Sequence, residues 1–263
     1  MVLRSDMPSA TGAISAWSAV ERRQRHCASS YDLVSQPDHA ALAGALAGHF
    51  ASPQFPVLEA RVVEAIAAHD SGWAIFAAEA NPTAAVPLDR SGKPISFMEI
   101  AVKDFLRAWG ASINRAEEIC PVGGIIVSTH FRRLGHYRLS SGVDEESAAL
   151  LRVFDSDEEQ RCRRLRPLSS ASDPELAALV EVLQFCDLLS LYLCCGATEH
   201  AEFPQSFAAG PVRVSCTDGA FRLQPSPFQR DAAADPINVC VNCTRYDSTV
   251  GRTSLPPRPF ILW

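Results

Sequence analysis

The run DPELAALVEVLQFCDLLSLYLC, residues 173–194, decides how the rest of the chain is read. Asp173 as a cap and Pro174 at the first helical position predict a helix start there. Leu176, Leu179, Val180, Leu183, Asp187, Ser190, Leu191 and Cys194 then recur at helical spacing on one side. Asp187 falls in the middle of that apolar side, bounded by Leu183, Leu188, Leu189 and Leu191. A carboxylate buried there without a partner costs several kcal/mol or stays protonated, so something must compensate it.

Upstream helices supply candidates. Gln36-Pro37-Asp38 reads as a helix start, and His39, Leu42, Ala43, Leu46 and Phe50 share a face up to Pro53. A second helix is predicted over about 57–69, with Leu58, Val62, Ala65, Ile66 and His69 on one stripe, Asp70 next to it and Gly72 as terminator. A Pro/Gly-rich loop is expected over 81–94, and Ser96 with Glu99 predicts a capping-box start for a helix through Trp109. Pro121 opens another helix, with Ile126, Val127, His130 and Leu134 on one face, and Asp144 caps a polar helix through about Arg166. His39, His69 with Asp70, His130 and Asp187 thus come from separate helices, at separations of 30, 60 and 57 residues. Imidazole and carboxylate donors converging from several helices suit a divalent metal such as zinc, manganese, iron or nickel.

Composition sets the outer bounds. The 263 residues carry 24 Lys plus Arg against 30 Asp plus Glu, a net charge of −6, which argues against nucleic acid as a main partner. The longest apolar stretch, 182–196, is interrupted by Gln184 and Asp187, so no membrane span is expected; with no leader-like N-terminus, a cytoplasmic protein is expected. The nine cysteines are odd in number, and Cys194 and Cys195 are adjacent, which suits reduced thiols better than a disulfide framework. Cys240 and Cys243 form a lone CxxC on a strand-like run and suggest neither zinc nor redox use.

Tyr31–Val34 reads as a short strand, while residues 1–30 are weakly patterned apart from a short helix near 15–24. Past about Pro204, strand signals dominate: 212–216 and 221–223 flank Asp218-Gly219, a hairpin signature, and Ile237, Val239 and Val241 alternate with polar residues. The expected organisation is a weakly patterned segment 1–30, a helical domain 31–205 and a β appendage 206–263, in a mainly α protein with a small C-terminal antiparallel β element.

The segments QPDHAALAGALA (36–47), AHDSGW (68–73), VSTHF (127–131) and FCDLLSLY (185–192) resemble, in order, the HD-domain superfamily of metal-dependent phosphohydrolases, and more narrowly a bacterial family of unknown function with an HD-like helical bundle. The resemblance covers about Gln36 to Cys195. It implies His39, His69, Asp70 and Asp187 as ligands of one metal, with His130 at a position that serves a second metal or the substrate phosphate. His136, six residues further on, falls on a different helix face, so the second site lacks one histidine.

The function so implied is hydrolysis of a small phosphate ester or nucleotide by a metal-activated water. Asp70 and His130 would be catalytic, with Arg132 and Arg133 clamping phosphate and Trp73 forming a pocket wall. The same ligands leave open a di-iron oxygenase and a non-catalytic metal- or ligand-binding module. The oligomeric state is not legible.

Overall fold

The computed structural model describes residues 1–8, 12–79, 86–228 and 235–263. The chain runs β1 (Val2–Arg4), β2 (Ile14–Ser15), α1 (Ala16–Arg25), β3 (Ser30–Val34), α2 (Gln36–Gly48), α3 (Ala60–Ala67) and α4 (Ala74–Glu79). It continues through α5 (Val102–Ile119), α6 (Pro121–Ser140), α7 (Glu145–Leu165) and α8 (Asp173–Cys194), then β4 (Ala201–Glu202), β5 (Arg213–Thr217) and β6 (Ala220–Gln224). The last strands are β7 (Ile237–Val241), β8 (Thr244–Asp247), β9 (Gly251–Ser254) and β10 (Arg258–Leu262).

The expectation of a mainly α protein with a small C-terminal β element is corrected. About 51% of the described residues are helical and 17% are strand, in two sheets that make this a mixed α/β fold. One sheet has the order β1-β3-β8-β9, the other β2-β4-β5-β6-β10-β7, so each takes strands from both ends of the chain. Leu33 lies opposite Thr244 and Ile14 pairs in parallel with Ala201. Strands of two to five residues carry little periodicity, and their partners are some 190 to 210 positions away, which a local pattern does not encode.

Local signals explain most helix starts. Ser35 caps α2, its hydroxyl accepting from the Asp38 N–H at 3.1 Å. The cap of α8 is Ser172 rather than Asp173, and Ser172 and Glu175 close a capping box. The box at Ser96 and Glu99 starts only a 3₁₀ turn, and α5 begins separately at Val102. Asp218 at φ +51° and Gly219 at φ +79° make the β5–β6 turn, as the Asp-Gly signature predicts. The predicted loop over 81–94 lies partly outside the described residues.

α8 is apolar and long enough to cross a membrane by composition, yet most of it is buried in the fold. Val182, Leu183, Phe185, Leu189 and Leu193 have no exposed surface, and each such side chain contributes about 1.5–3 kcal/mol by burial. α2 and α6 flank α8, while α3 packs across α2 and α6.

Two glycines set the approach of these helices. A Cβ on Gly44 would lie 2.3 Å from the Ala67 Cβ, so α2 and α3 cross at a distance only glycine permits. A Cβ on Gly72 would lie 2.1 Å from the Ala108 carbonyl oxygen, and the Gly72 N–H donates to Ser112 Oγ at 2.9 Å. The turn carrying His69 and Asp70 is thereby pressed between α2 and α5.

Candidate metal centre

Four elements deliver five side chains to one buried point. His39 sits in the first turn of α2, His69 and Asp70 directly after α3, His130 midway along α6 and Asp187 late in α8. The three histidines are 2% exposed or less. The ligand atoms of His39, His69 and Asp70 lie within 4.8 Å of one another, as do those of His69, His130 and Asp187. His69 belongs to both groups.

The ring orientations follow from hydrogen bonds. Ser190 Oγ donates its one proton to the Asp187 carbonyl at 2.8 Å, so toward His39 Nδ1, 2.9 Å away, it can only accept. Nδ1 of His39 therefore carries a hydrogen, and in a neutral ring Nε2 holds a lone pair. That atom faces Asp70 Oδ2 at 2.9 Å, an acceptor opposite an acceptor unless a cation or a proton lies between them.

His69 repeats the pattern. Its Nδ1 donates to the Ile66 carbonyl at 2.8 Å, leaving Nε2 buried and, among the described residues, without a hydrogen-bond partner, 3.4 Å from Asp187 Oδ1. Asp187 Oδ1 is also 3.8 Å from His39 Nδ1, and Oδ2 is 3.7 Å from His130 Nε2. Donor atoms at about 2.1 Å from a metal lie about 3.0 Å apart in an octahedron and about 3.4 Å apart in a tetrahedron. The His39–Asp70 and His69–Asp187 separations match those edges, so these side chains could hold a divalent metal.

Without a cation the charges compensate one another. Burial lowers the His69 pKa, but the Asp187 contact and the charge of Asp70 outweigh it and carry it to about 9. Burial pushes Asp187 up, and His69 more than reverses this to about 2. Burial lowers His130 to about 4, so it is neutral at neutral pH.

A family model described as "Protein of unknown function (DUF3891)" matches residues 24–242. The chain belongs to this family. No curated protein and no solved structure matches it. The DUF3891 match spans all five candidate ligands.

In this DUF3891 chain His39, Asp70, His130 and Asp187 form the floor of a cavity of about 150 Å³. Trp73, expected as a wall, is one, and its Nε1 donates to Asp70 Oδ1 at 3.1 Å. The arginines expected to clamp phosphate lie elsewhere. Arg132 pairs with Asp155 at 2.8 Å, Arg133 pairs with Glu181 at 2.6 Å, and neither lines the cavity. His136 is exposed and 3.0 Å from Asp155.

The cation that does line the cavity is Arg138, which the sequence reading missed, together with Trp17, Gln36, Phe105, Trp109 and Tyr137. Helical arithmetic carried a signal. At 100° per residue Tyr137 returns to within about 20° of the direction of His130 and Arg138 to within about 80°, while Arg132 points about 160° away. Gln36 is the first residue of α2, as the Gln36-Pro37-Asp38 start predicts, and Ser35 before it is the cap.

Proposed function

We propose that this protein is a metal-dependent hydrolase of small phosphate esters, built on an HD-like helical core. The observation that carries the proposal is His69 Nε2, a buried ring nitrogen that has no hydrogen-bond partner among the described residues and lies 3.4 Å from Asp187 Oδ1. The order of His39, His69-Asp70 and Asp187 along the chain, which resembles the HD superfamily, supports it. A bound divalent metal would supply an activated water and polarise a phosphoryl oxygen.

The chain's own groups would do the rest. His39, His69, Asp70 and Asp187 hold the ion, with Ser190 and the Ile66 carbonyl fixing the two imidazoles in the orientation required. Trp73 steadies Asp70 through Oδ1, leaving Oδ2 to hold the ion, beside which the carboxylate would orient the attacking water. Neutral His130 is available as a hydrogen-bond donor to a phosphoryl oxygen. A reduced-thiol compartment such as the cytoplasm agrees with the cysteines, all of which are free.

The test is metal analysis of protein purified without chelator, beside His69→Ala, with turnover of generic phosphate esters. Stoichiometric zinc, manganese or nickel in the wild type only, with chelator-sensitive turnover, is the expected result. No metal in the wild type overturns the proposal. The largely aromatic lining of the cavity favours one second reading, oxidation of an apolar substrate at a di-iron centre. Bound iron with oxygen uptake and no ester cleavage would select it, and retained metal with neither activity would leave a non-catalytic module.

A further inference from the structure

Above the His/Asp floor the walls of the cavity are aromatic and connected. Trp73 meets Phe105 edge-on with ring centroids 5.2 Å apart, and Phe105 meets Trp109 at 5.3 Å. Across the mouth Trp17 stands edge-on to Tyr137 at 6.3 Å. Such walls favour a planar apolar body, which gains ring contacts as well as burial. A volume of about 150 Å³ is that of a cavity holding one benzene-sized ring, well below the few hundred Å³ of drug-sized sites.

The polar atoms of the same walls are unfinished. Arg138 Nη1, Trp17 Nε1 and Gln36 Oε1 are buried and, among the described residues, have no hydrogen-bond partner. All three residues line this cavity. Arg138 is held in place by its neighbours: Cζ lies 4.3 Å over the Phe105 ring and Nη2 donates to the Met98 carbonyl at 3.5 Å. Burial alone pushes its pKa down, with no carboxylate acting to restore it. The other arginines near α6 have acidic partners, as Arg132 and Arg133 do. A half-buried guanidinium with a buried, unpaired Nη1 and no anion, beside a second unpaired donor, is a costly arrangement unless a ligand completes it.

We infer that the cavity recognises a small single-ring aromatic anion, its ring among Trp73, Phe105 and Trp109 and its anionic group on Arg138 Nη1, with Trp17 Nε1 as second donor. Gln36 Oε1 accepts from a donor on the same ligand. The chemistry shared by a carboxylate and a phosphoryl group suffices for the anion. This names the substrate class of the site proposed above and rests on the hydrolase reading only for what happens to the molecule at the floor.

The test is a titration read by tryptophan fluorescence and calorimetry, with phenylphosphonate, benzoate, methylphosphonate and benzyl alcohol as probes. Phenylphosphonate or benzoate should bind at least tenfold more tightly than methylphosphonate, which has the charge without the ring, and than benzyl alcohol, which has the ring without the charge. The tighter of the two aromatic anions names the anionic group. Arg138→Met should weaken that probe at least tenfold and leave benzyl alcohol unchanged, with Arg138→Lys recovering part of the loss. Trp17→Phe, which keeps a ring and removes the N–H, gives a smaller loss. Equal binding of methylphosphonate, or Arg138→Met and Arg138→Lys both binding like the wild type, overturns the inference.

Repeating the titration after chelation separates it from the hydrolase reading. Affinity that survives chelation places the anion on Arg138, whatever the metal analysis finds. Affinity abolished by chelation and insensitive to Arg138→Met places it on the ion and overturns the assignment.

Discussion

Among the described residues buried charge clusters are of two kinds, and they are built differently. At the first, Glu199 is flanked by Arg22 and Arg23, its Oε1 accepting from both, while Oε2 accepts from Arg23 at 3.0 Å and from the Thr198 N–H at 2.9 Å. Asp32, on β3, is likewise gripped by Arg245 and Arg258. In both cases permanent cations saturate a carboxylate, and the atoms left over are guanidinium N–H groups such as Arg23 Nε and Arg258 Nε. At the floor of the cavity the carboxylates of Asp70 and Asp187 face titratable rings, and the atoms left over are ring nitrogens, His69 Nε2 and His130 Nδ1. The first kind of cluster is complete as folded, whereas the second has room for a cation. Saturation, more than burial or charge, separates a structural ion pair from a candidate site.

The largest effect expected from breaking that contrast is on stability. Glu199→Gln leaves Arg23 buried against a neutral amide and should cost about 3–5 kcal/mol by urea unfolding while metal content stays unchanged. Metal lost alongside a normal unfolding curve would erase the distinction between the clusters.

Next comes the pH dependence of the chelated protein. His69 titrates at about 9 when folded against 6.5 when unfolded, so its proton adds stability that is complete below pH 6.5 and lost as pH rises through 9. His130, at about 4, works the opposite way, its share complete above pH 6.5 and lost as pH falls through 4. Unfolding followed against pH should therefore show an alkaline decline on the order of 3 kcal/mol, absent from His69→Gln. Bound metal displaces the same proton, so metal affinity should rise toward pH 9 as stability of the chelated form falls.

Smaller still, His69→Ala should weaken metal at least a hundredfold, about 2.7 kcal/mol, by competition with a chromogenic chelator. Ser190→Ala, which frees the His39 ring without removing a ligand, should weaken it about tenfold. An unchanged affinity in Ser190→Ala would mean that His39 needs no orienting partner.

The contrast also explains what was legible in the sequence. His39, His130 and Asp187 each interrupt an apolar helix stripe and His69 continues the stripe of α3 just past its end, so the 3.6-residue period places all four inward whatever the neighbours are. Asp70 came with His69. Arg132 was misplaced because adjacency to His130 was taken as shared direction, although two helical steps carry it about 160° round; Arg133 returns to within about 60° but is drawn off by Glu181. Arg138, two turns further on, was within reach of the same rule. Glu199 and Asp32 gave no sign, since their arginines come from positions about 176 to 226 residues away and obey no period. The pairing of N-terminal with C-terminal strands was missed for the same reason, whereas the Asp218-Gly219 hairpin, being local, was legible.

That sheet pairing also bears on the order of folding. β3 leads through Ser35 directly into α2 and His39, and on one side β3 rests on β8, which begins at Thr244. During synthesis the first histidine of the site therefore emerges long before the strand that steadies its approach. High contact order of this kind slows folding, and the approach to His39 is fully paired only once Thr244–Asp247 has joined β3.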